Sequence, residues 1–409
     1  MNRRKLSLPN CFFVAILLLA VSPVVLAYHG EVSIDLKGLL NAAWTQNGSA
    51  LVFEQKKEAL TNKLALSNQF FPSSAQMSGS FSSDGPFKND GRREYGLSIG
   101  SAIWLPGQRK VLGAEVEAEI ELLLAEEIFQ RWQLTGKVRE HYWNVMLARN
   151  ELRLATRKLK ISQKLVANVS QRVKAGELAE IDLLLSMQKS LTAESEQLSA
   201  KQRLARAQLL FNGLTGLDAP EDWLSEVEQN IPLEEHPLLV SLSKQLKLSR
   251  VNFEKIRRYK RKSPRVALGL ARERDDRDAD YINSLGIQVT LPFENRVLNK
   301  SKFTAAQVVK TTIEADYFQK KHKLTKSIEL AQLKVTHAKK TFETFERLKS
   351  LAVKHLKLMQ RAFNIGEVGL RELLLVQNDS DQAVDSSARQ RVEVARAISQ
   401  LNQEQGAFP

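Results

Sequence analysis

Side chains that commonly carry catalytic or metal chemistry are few and widely spaced in this sequence. The only cysteine is Cys11, and no two histidines are four residues apart, the spacing that places two ligands on one helix face. The six histidines are His29, His141, His236, His322, His337 and His355. No phosphate-binding loop, nucleophile elbow or carboxylate pair with an evident base role occurs. The sequence therefore predicts no enzyme, no metal site and no cofactor.

Two matching turns offer a different kind of site. The stretch RVKAGELAEIDLLL at 172–185 recurs 190 residues later as AFNIGEVGLRELLL at 362–375. Gly176 then matches Gly366, and the acidic Asp182 matches Glu372. Glycine permits the left-handed backbone of a tight chain reversal, so each stretch predicts the tip of a long helical hairpin. The chain is therefore built from two copies of one structural unit.

The first 27 residues predict a secretory signal. Arg3, Arg4 and Lys5 precede a short apolar core at 11–20, and residues 25–27 form a small-residue cleavage site, so the mature chain is expected to start at Tyr28. The core is shorter than the ~20 residues of a membrane helix. Without the signal, 57 basic residues face 46 acidic ones, a net charge of +11. This excess is spread over mixed-sign helices, which predicts no nucleic-acid partner.

Heptads and alternating patterns divide the mature chain into helices and hairpins. The first repeat covers 28–216 and contains a helix at 31–67, a β-hairpin at 73–106 and a helical hairpin at 108–212. An irregular, proline-containing segment at 217–237 follows. The second repeat covers 238–409 and contains a helix, a β-hairpin at 265–291 and a helical hairpin at 295–404.

The helical hairpins carry coiled-coil rows with a period of seven. Large residues form one row of the first long helix, and small ones form a second, which allows close helix approach. The large row is Val138, Val145, Leu152, Leu159, Val166 and Val173, and the small row is Ala148, Ala155, Ser162 and Val169. The return helix continues the heptad with Leu184, Leu191, Leu198 and Ala205. Short helices placed end to end match the long ones, which predicts four helical columns of similar height.

The two β-hairpins alternate apolar residues with Ser, Gly and Gln over strands of about ten residues, a pattern typical of transmembrane barrels. A soluble two-stranded ribbon is the alternative, but an isolated hairpin is only marginally stable. Four strands cannot close a barrel, and an open edge cannot lie in lipid. Cyclic association is therefore expected, and three copies would supply twelve strands and twelve helical columns.

The order of these elements, together with the ungapped match of the two tips, resembles the TolC family of outer-membrane efflux proteins over essentially the whole mature chain. The resemblance implies a fold that is mainly α with a small β part. A homotrimer would form a 12-stranded β-barrel in outer-membrane lipid, continued by an α-barrel in the periplasm of a Gram-negative cell. It implies a passive exit duct that works with a periplasmic adaptor protein and a proton-driven inner-membrane pump.

The same resemblance assigns roles to the tips. The residues expected to meet the adaptor are Arg172, Gly176, Glu177, Leu178, Ala179, Gly366, Glu367, Val368 and Gly369. The residues expected at a periplasmic gate are Asp182, Phe363 and Glu372. The sequence departs from the family at Leu375, where a second acidic ring is expected.

Each of these roles has a simpler alternative. Gly176 and Gly366 also serve chain reversal alone. Asp182 and Glu372 also stabilise the first turn of a helix through its dipole, by ~0.3–1 kcal/mol each.

Cargo and competing functions remain open at this point. The compact length, short extracellular loops and Leu-Pro strand ends resemble the branch of the family that serves heavy-metal pumps of the cobalt-zinc-cadmium type, with drug efflux and protein secretion as alternatives. The rival of another class is a soluble periplasmic coiled-coil adaptor or structural spacer. It would share the heptads, but it would not need two β-hairpins between the helical units, and an adaptor would need a β-rich lipoyl-like domain.

Overall fold

The computed structural model describes residues 35–409 except 87, 89, 222, 225, 259–261 and 294. The predicted signal lies outside the described residues. The helices are α1 (Leu36–Gln46), α2 (Ser49–Leu66), α3 (Gln108–Lys174), α4 (Glu180–Thr215), α5 (Pro237–Arg258), α6 (Arg296–Asn364) and α7 (Leu370–Glu404). The strands are β1 (Gln76–Ser83), β2 (Arg93–Ala102), β3 (Arg265–Arg274) and β4 (Ile282–Thr290).

The helix predicted at 31–67 is two helices in the part that the structure describes. Gly48 has a φ of 65°, outside the right-handed helical region, and separates α1 from α2. The amide of Asn47 still donates to the carbonyl of Ala43, but the amide of Gly48 donates to Thr45, three residues back. The prediction of one continuous helix was therefore wrong, because an αL glycine ends the hydrogen-bond ladder.

The two long helices, α3 with 67 residues and α6 with 69, each span ~100 Å at 1.5 Å per residue. Helix α3 pairs with α4, and α6 pairs with α7. The α3·α4 seam is formed by the small residues: Ala148, Ala155, Ser162 and Val169 of α3 are buried, as are Ser186, Ala193 and Ala200 of α4. The predicted leucine row of α4 is exposed instead, with Leu184, Leu191 and Leu198 at 61%, 65% and 58%.

The short helices continue the columns end to end. Helix α4 ends at Gly216, which lies against the side chain of Gln46 in α1. Gly406, just beyond α7, lies against Pro237 at the start of α5. The φ angles of Gly216 and Gly406 are 70° and 84°. Both copies of the repeat therefore end their return helix at a left-handed glycine that lies against a short helix.

An irregular segment packs across the columns between α4 and α5. Glu226 in this segment accepts hydrogen bonds from Arg139 on α3 and from Asn402 on α7. The Arg139 Nη2 to Glu226 Oε2 distance is 2.8 Å, and the Arg139 side chain is 4% exposed. Leu224 N donates to the hydroxyl of Tyr142 at 2.7 Å. These polar contacts fix the segment 217–232 to the main core around Trp143 and Phe211.

The two predicted β-hairpins form one antiparallel sheet in the order β1-β2-β3-β4. Leu97 of β2 lies opposite Leu270 of β3, and that register places the large apolar side chains on one face, except Ile282, which lies opposite Glu273 on the polar face. This apolar face carries Met77, Phe81, Tyr95, Leu97, Ile99, Val266, Leu268, Leu270, Leu285, Ile287 and Val289. The polar face carries Gln76, Ser78, Ser80, Gly96, Ser98, Ala267, Gly269, Ser284, Gly286 and Gln288.

Among the described residues, no helix holds a segment long and apolar enough to cross a membrane.

Candidate functional site

The two helical tips have the same backbone geometry. Glu177 N donates to the Arg172 carbonyl at 2.9 Å, and Gly176 N donates to Val173 at 3.0 Å. The second tip repeats both bonds, from Glu367 N to Ala362 at 2.9 Å and from Gly366 N to Phe363 at 3.2 Å. This pair of hydrogen bonds around a glycine with positive φ is the Schellman motif. The match of the two sequences therefore extends to hydrogen bonds.

The tip glycines face open space. A Cβ atom added at Gly176, Gly366 or Gly369 would meet nothing within 4 Å. Gly176 and Gly366 have φ angles of 76° and 84°, so the backbone alone requires glycine there. Glu177, Ala179 and Glu367 are also exposed, whereas Arg172, Leu178 and Val368 are half-buried. The predicted docking residues thus form an accessible rim around two bare turns, and their contact with an adaptor stays a prediction.

Arg172 connects the first tip with the second. Its Nε donates to Glu177 Oε2 at 3.0 Å, and its guanidinium lies 4.8 Å from the ring centroid of Phe363. Its Nη1 also donates to the backbone carbonyl of Phe363 at 3.4 Å. Ala362 stands at the matching position of the second repeat. The connection is therefore made from one side only, by a side chain that the second repeat lacks.

A small apolar core lies directly behind the tips. Val169, Phe363, Leu370 and Leu373 are buried there, one from the first hairpin and three from the second. The cluster includes Leu178 and Val368 at its edge. Phe363 is 3% exposed, so within the protomer it is a core residue whose ring supports Arg172. Its predicted role at a gate would therefore act through the packing of the two hairpins.

The two acidic gate candidates occupy the third position of their helices. Glu372 is exposed, and its Oε2 accepts from Gly369 N at 3.2 Å, which caps the start of α7. Asp182 is half-buried near the start of α4. The helix-terminal role is thus present for Glu372, and a charge ring in an assembly stays a prediction. Leu375 is 61% exposed on the same helix.

A cluster of charged residues that sequence reasoning missed lies further from the tips, where α3, α4 and α7 meet. Lys158 of α3 bonds to Asp385 of α7 and lies 3.9 Å from Glu196 of α4. Burial opposes the charge on Lys158, but the hydrogen bond to Asp385 and the charges of Asp385, Glu196 and Asp381 together outweigh it and raise the pKa of the lysine. Burial raises the pKa of Asp381, with Lys158 acting against that shift. The sequence shows Asp381 and Asp385 on a polar face of α7, but it does not show their partner Lys158 on α3, which is 227 residues before Asp385.

Metal coordination has no matching arrangement in the described part of the chain. No group of three or more His, Cys, Asp or Glu side chains there could hold a metal ion.

Comparison with known proteins identifies the fold. No protein-family profile matches the chain. The cobalt-zinc-cadmium resistance protein CzcC of Cupriavidus metallidurans is 22% identical over 283 residues, which span 65% of this chain and 64% of that relative. The crystal structure of CusC, described in terms of folding and transmembrane channel formation, superposes with a TM-score of 0.72 at 18% identity over 91% of this chain and 92% of CusC.

The Campylobacter jejuni outer-membrane channel CmeC superposes with a TM-score of 0.71 at 14% identity, over 91% of this chain and 85% of CmeC. This chain has the fold of the TolC-type outer-membrane channels. The predicted fold class, mainly helical with a small antiparallel β part, is confirmed. The matched structures are channels rather than enzymes, in agreement with the absence of catalytic motifs in the sequence.

Proposed function

We propose that three copies of this chain form the outer-membrane exit duct of a tripartite efflux system, with a β-barrel in lipid and a helical barrel in the periplasm. The observation that carries the proposal is that the four-stranded sheet exposes its apolar face. Its apolar side chains are exposed, with Ile99, Leu268 and Leu285 at 55%, 52% and 75%, while small polar residues cover the other face. Such a surface is unfavourable in water and suits a barrel with lipid outside and water inside.

The sheet edges support assembly. Strands β1 and β4 each have one partner and one free edge in the protomer. Free strand edges must be paired in a membrane. Pairing β4 of one copy with β1 of the next closes twelve strands with three copies, whereas the eight strands of two copies would leave an interior just wide enough for side chains to fill.

The helices support the same arrangement. The exposed leucine row of α4, which includes Leu184 and Leu191, has a counterpart in exposed leucines of α6, among them Leu330, Leu351 and Leu358. In the protomer these rows belong to hairpins that turn other faces to each other. Packing α4 of one copy on α6 of the next would bury both rows and close the helical barrel.

The tips give the duct its partners. We infer that the two helical tips dock a periplasmic adaptor, which is bound to a proton-driven inner-membrane pump. The residues that would contact the adaptor are Arg172, Gly176, Glu177, Leu178, Ala179, Gly366, Glu367, Val368 and Gly369. Open space above each turn leaves room for a partner's side chains. Asp182, Phe363 and Glu372 would form the gate just inside, where the apolar core holds the tips together.

For the cargo, we propose heavy-metal cations. The curated relative is a cobalt-zinc-cadmium resistance protein. A second argument comes from the polar face, where Glu94 of β2 lies directly opposite Glu273 of β3. Three copies would bring six such carboxylates to the outer end of the pore, and rings of carboxylates favour cations. Drug efflux and protein secretion are the competing cargoes.

The test is biochemical. Expressed with its leader, the protein should require detergent for release from outer membranes, run as a heat-modifiable trimer, and form channels in planar bilayers. Deletion from its host should lower tolerance to cobalt, zinc or cadmium if the cargo assignment holds, whereas sensitivity only to organic drugs would favour that class of cargo. A monomer released without detergent would instead identify a soluble coiled-coil spacer and refute the duct.

A further inference from the structure

The apolar face of the sheet ends in a group of arginines. Arg93 of β2 lies directly opposite Arg274 of β3, and Arg272 lies opposite Tyr95, two residues further along. Because side chains alternate along a strand, these three arginines share the face of Leu97 and Leu270. They stand at the end of the sheet next to the connections 84–92 and 275–281, away from the helices.

None of the ion pairs among the described residues involves Arg93, Arg272 or Arg274, although four aspartates lie in the connection that follows Arg274, namely Asp275, Asp276, Asp278 and Asp280. Arg274 Nε donates to the carbonyl of Gly91 at 3.0 Å, and the Arg272 guanidinium lies 4.5 Å from the ring centroid of Tyr281. Most guanidinium donors of the group are thus unused. Like charges directly opposite each other destabilise a sheet, so this arrangement costs free energy unless an anion joins it.

The strand carboxylates next to these arginines lie on the opposite face of the sheet. Glu94 and Glu273 are the neighbours of Arg93 and Arg274 along the strands, and they lie opposite each other on the polar face. The sheet therefore separates charge across its thickness, with negative groups towards the pore and positive groups towards the lipid. An anion approaching from the lipid side meets the arginines first.

Aromatic residues mark where this level lies in a membrane. Phe81 and Tyr95 stack with ring centroids 5.1 Å apart, and Tyr95 lies 6.5 Å from Tyr281. Phe81 and Tyr95 lie level with Arg272, and Tyr281 lies beside Arg272 and Arg274, so the rings and the arginines share one level beyond the aliphatic band. Aromatic girdles occur at the boundary between hydrocarbon and headgroups, so the arginines lie at headgroup depth.

The backbone around the arginines is held in place by the opposite loop. Gly91 has a φ of 98°, and a Cβ there would lie 2.3 Å from Cγ of Arg277. Arg277 N donates to the carbonyl of Asp90 at 3.1 Å. The two extracellular connections are therefore joined, and the carbonyl that positions Arg274 belongs to the joint. A preformed site loses less entropy when it binds a ligand.

We propose that Arg93, Arg272 and Arg274 bind the phosphate groups of a phosphorylated glycolipid, lipid A, in the outer leaflet of the membrane, with one site on each copy. Guanidinium groups bind phosphate through paired, charge-assisted hydrogen bonds, and an acylated partner would also cover the apolar residues below. The proposal rests on the proposed function, because it requires the apolar face to lie in an outer membrane with these loops outside.

The experiment uses full-length trimers in detergent and fluorescent bis-phosphorylated lipid A. The variant is the triple substitution Arg93→Gln, Arg272→Gln and Arg274→Gln. Arg265→Gln is the matched control, because Arg265 lies on the same strand at the other end and on the polar face. Each lost charge-assisted contact should weaken binding about tenfold. The triple variant should therefore lose at least a hundredfold, the triple lysine variant should keep most of the affinity, and the control should be unchanged.

Further arms separate the sources of phosphate. Dephosphorylated lipid A and phosphatidylglycerol should bind at least tenfold more weakly than the bis-phosphorylated lipid. Equal binding of lipid A by wild type and triple variant, full competition by inorganic phosphate, or equal affinity for phosphatidylglycerol would each overturn the proposal. Heat-modifiable trimers and bilayer conductance, measured on the same samples, report on the duct itself. A wild type that conducts but does not distinguish these lipids refutes only the lipid site.

Discussion

Replacing Arg172 by alanine would release the first tip from the second. The salt bridge to Glu177 is worth ~0.2–1 kcal/mol, because the Glu177 side chain is 58% exposed. The contact with the buried ring of Phe363 adds ~0.5–2 kcal/mol. Only the contact with Phe363 joins the two tips, so it stabilises their closed arrangement by ~0.5–2 kcal/mol per protomer. If opening separates the tips, Arg172→Ala should raise the open population roughly 2–30-fold.

Single-trimer recordings in planar bilayers measure this population directly. Lys174→Ala is the matched control: Lys174 is an exposed base in the same last turn of α3, without a hydrogen bond or ion pair in the described part of the chain. Arg172→Lys should give an intermediate result, since lysine keeps the charge but not the planar contact with the ring. If Arg172→Ala records like Lys174→Ala, the two tips are not coupled through this side chain.

Three further outcomes follow from the structure. Glu372→Gln keeps an acceptor for Gly369 N but removes the charge, so trimers should assemble while cation preference in reversal-potential measurements falls; unchanged preference would exclude a charge ring. Glu226→Ala leaves the buried Arg139 charge without its partner and should lower the free energy of unfolding by ~3–5 kcal/mol. The trimer should then dissociate at a lower temperature, and adding Arg139→Met should partly restore that temperature. A Glu226→Ala protein with unchanged stability would contradict this. Burial lowers the pKa of His236 from 6.5 to about 4, so on acidification the unfolded chain binds the proton first. The free energy of unfolding should therefore fall between pH 6.5 and 4 by at most ~3 kcal/mol. His236→Gln should reduce the dependence of the melting temperature on pH over that range, and an unchanged dependence would refute this account.

Features governed by local rules were predictable from sequence. The reversal at Gly176 and Gly366 follows from a lone glycine inside a heptad pattern, and both adopt positive φ. The strands follow from alternation, and the stop of α4 at Gly216 follows from its C-terminal glycine. The interruption at Gly48 was missed, because one glycine in a helical pattern is compatible with either a break or a continuous helix.

Choices between equivalent surfaces were not predictable. Helix α4 has a leucine row and a small-residue row, and the heptad period does not say which one meets α3. The structure buries Ser186, Ala193 and Ala200 and leaves Leu184 and Leu191 exposed. The small row wins within the protomer, because α3 presents small residues as well and the two backbones approach closely. In the proposed trimer, these leucines would pack against another copy.

The repeat, the helical columns, the alternating strands and the two glycine tips follow from the amino-acid sequence alone, because each depends on neighbours within a few turns or one hairpin. Which groups from distant segments meet is settled by the packing of the folded chain. Register across β2 and β3 places Arg93 opposite Arg274, and hairpin packing brings Arg172 to Phe363. Such pairings depend on how far each element slides along its neighbour, and the local period leaves that translation free.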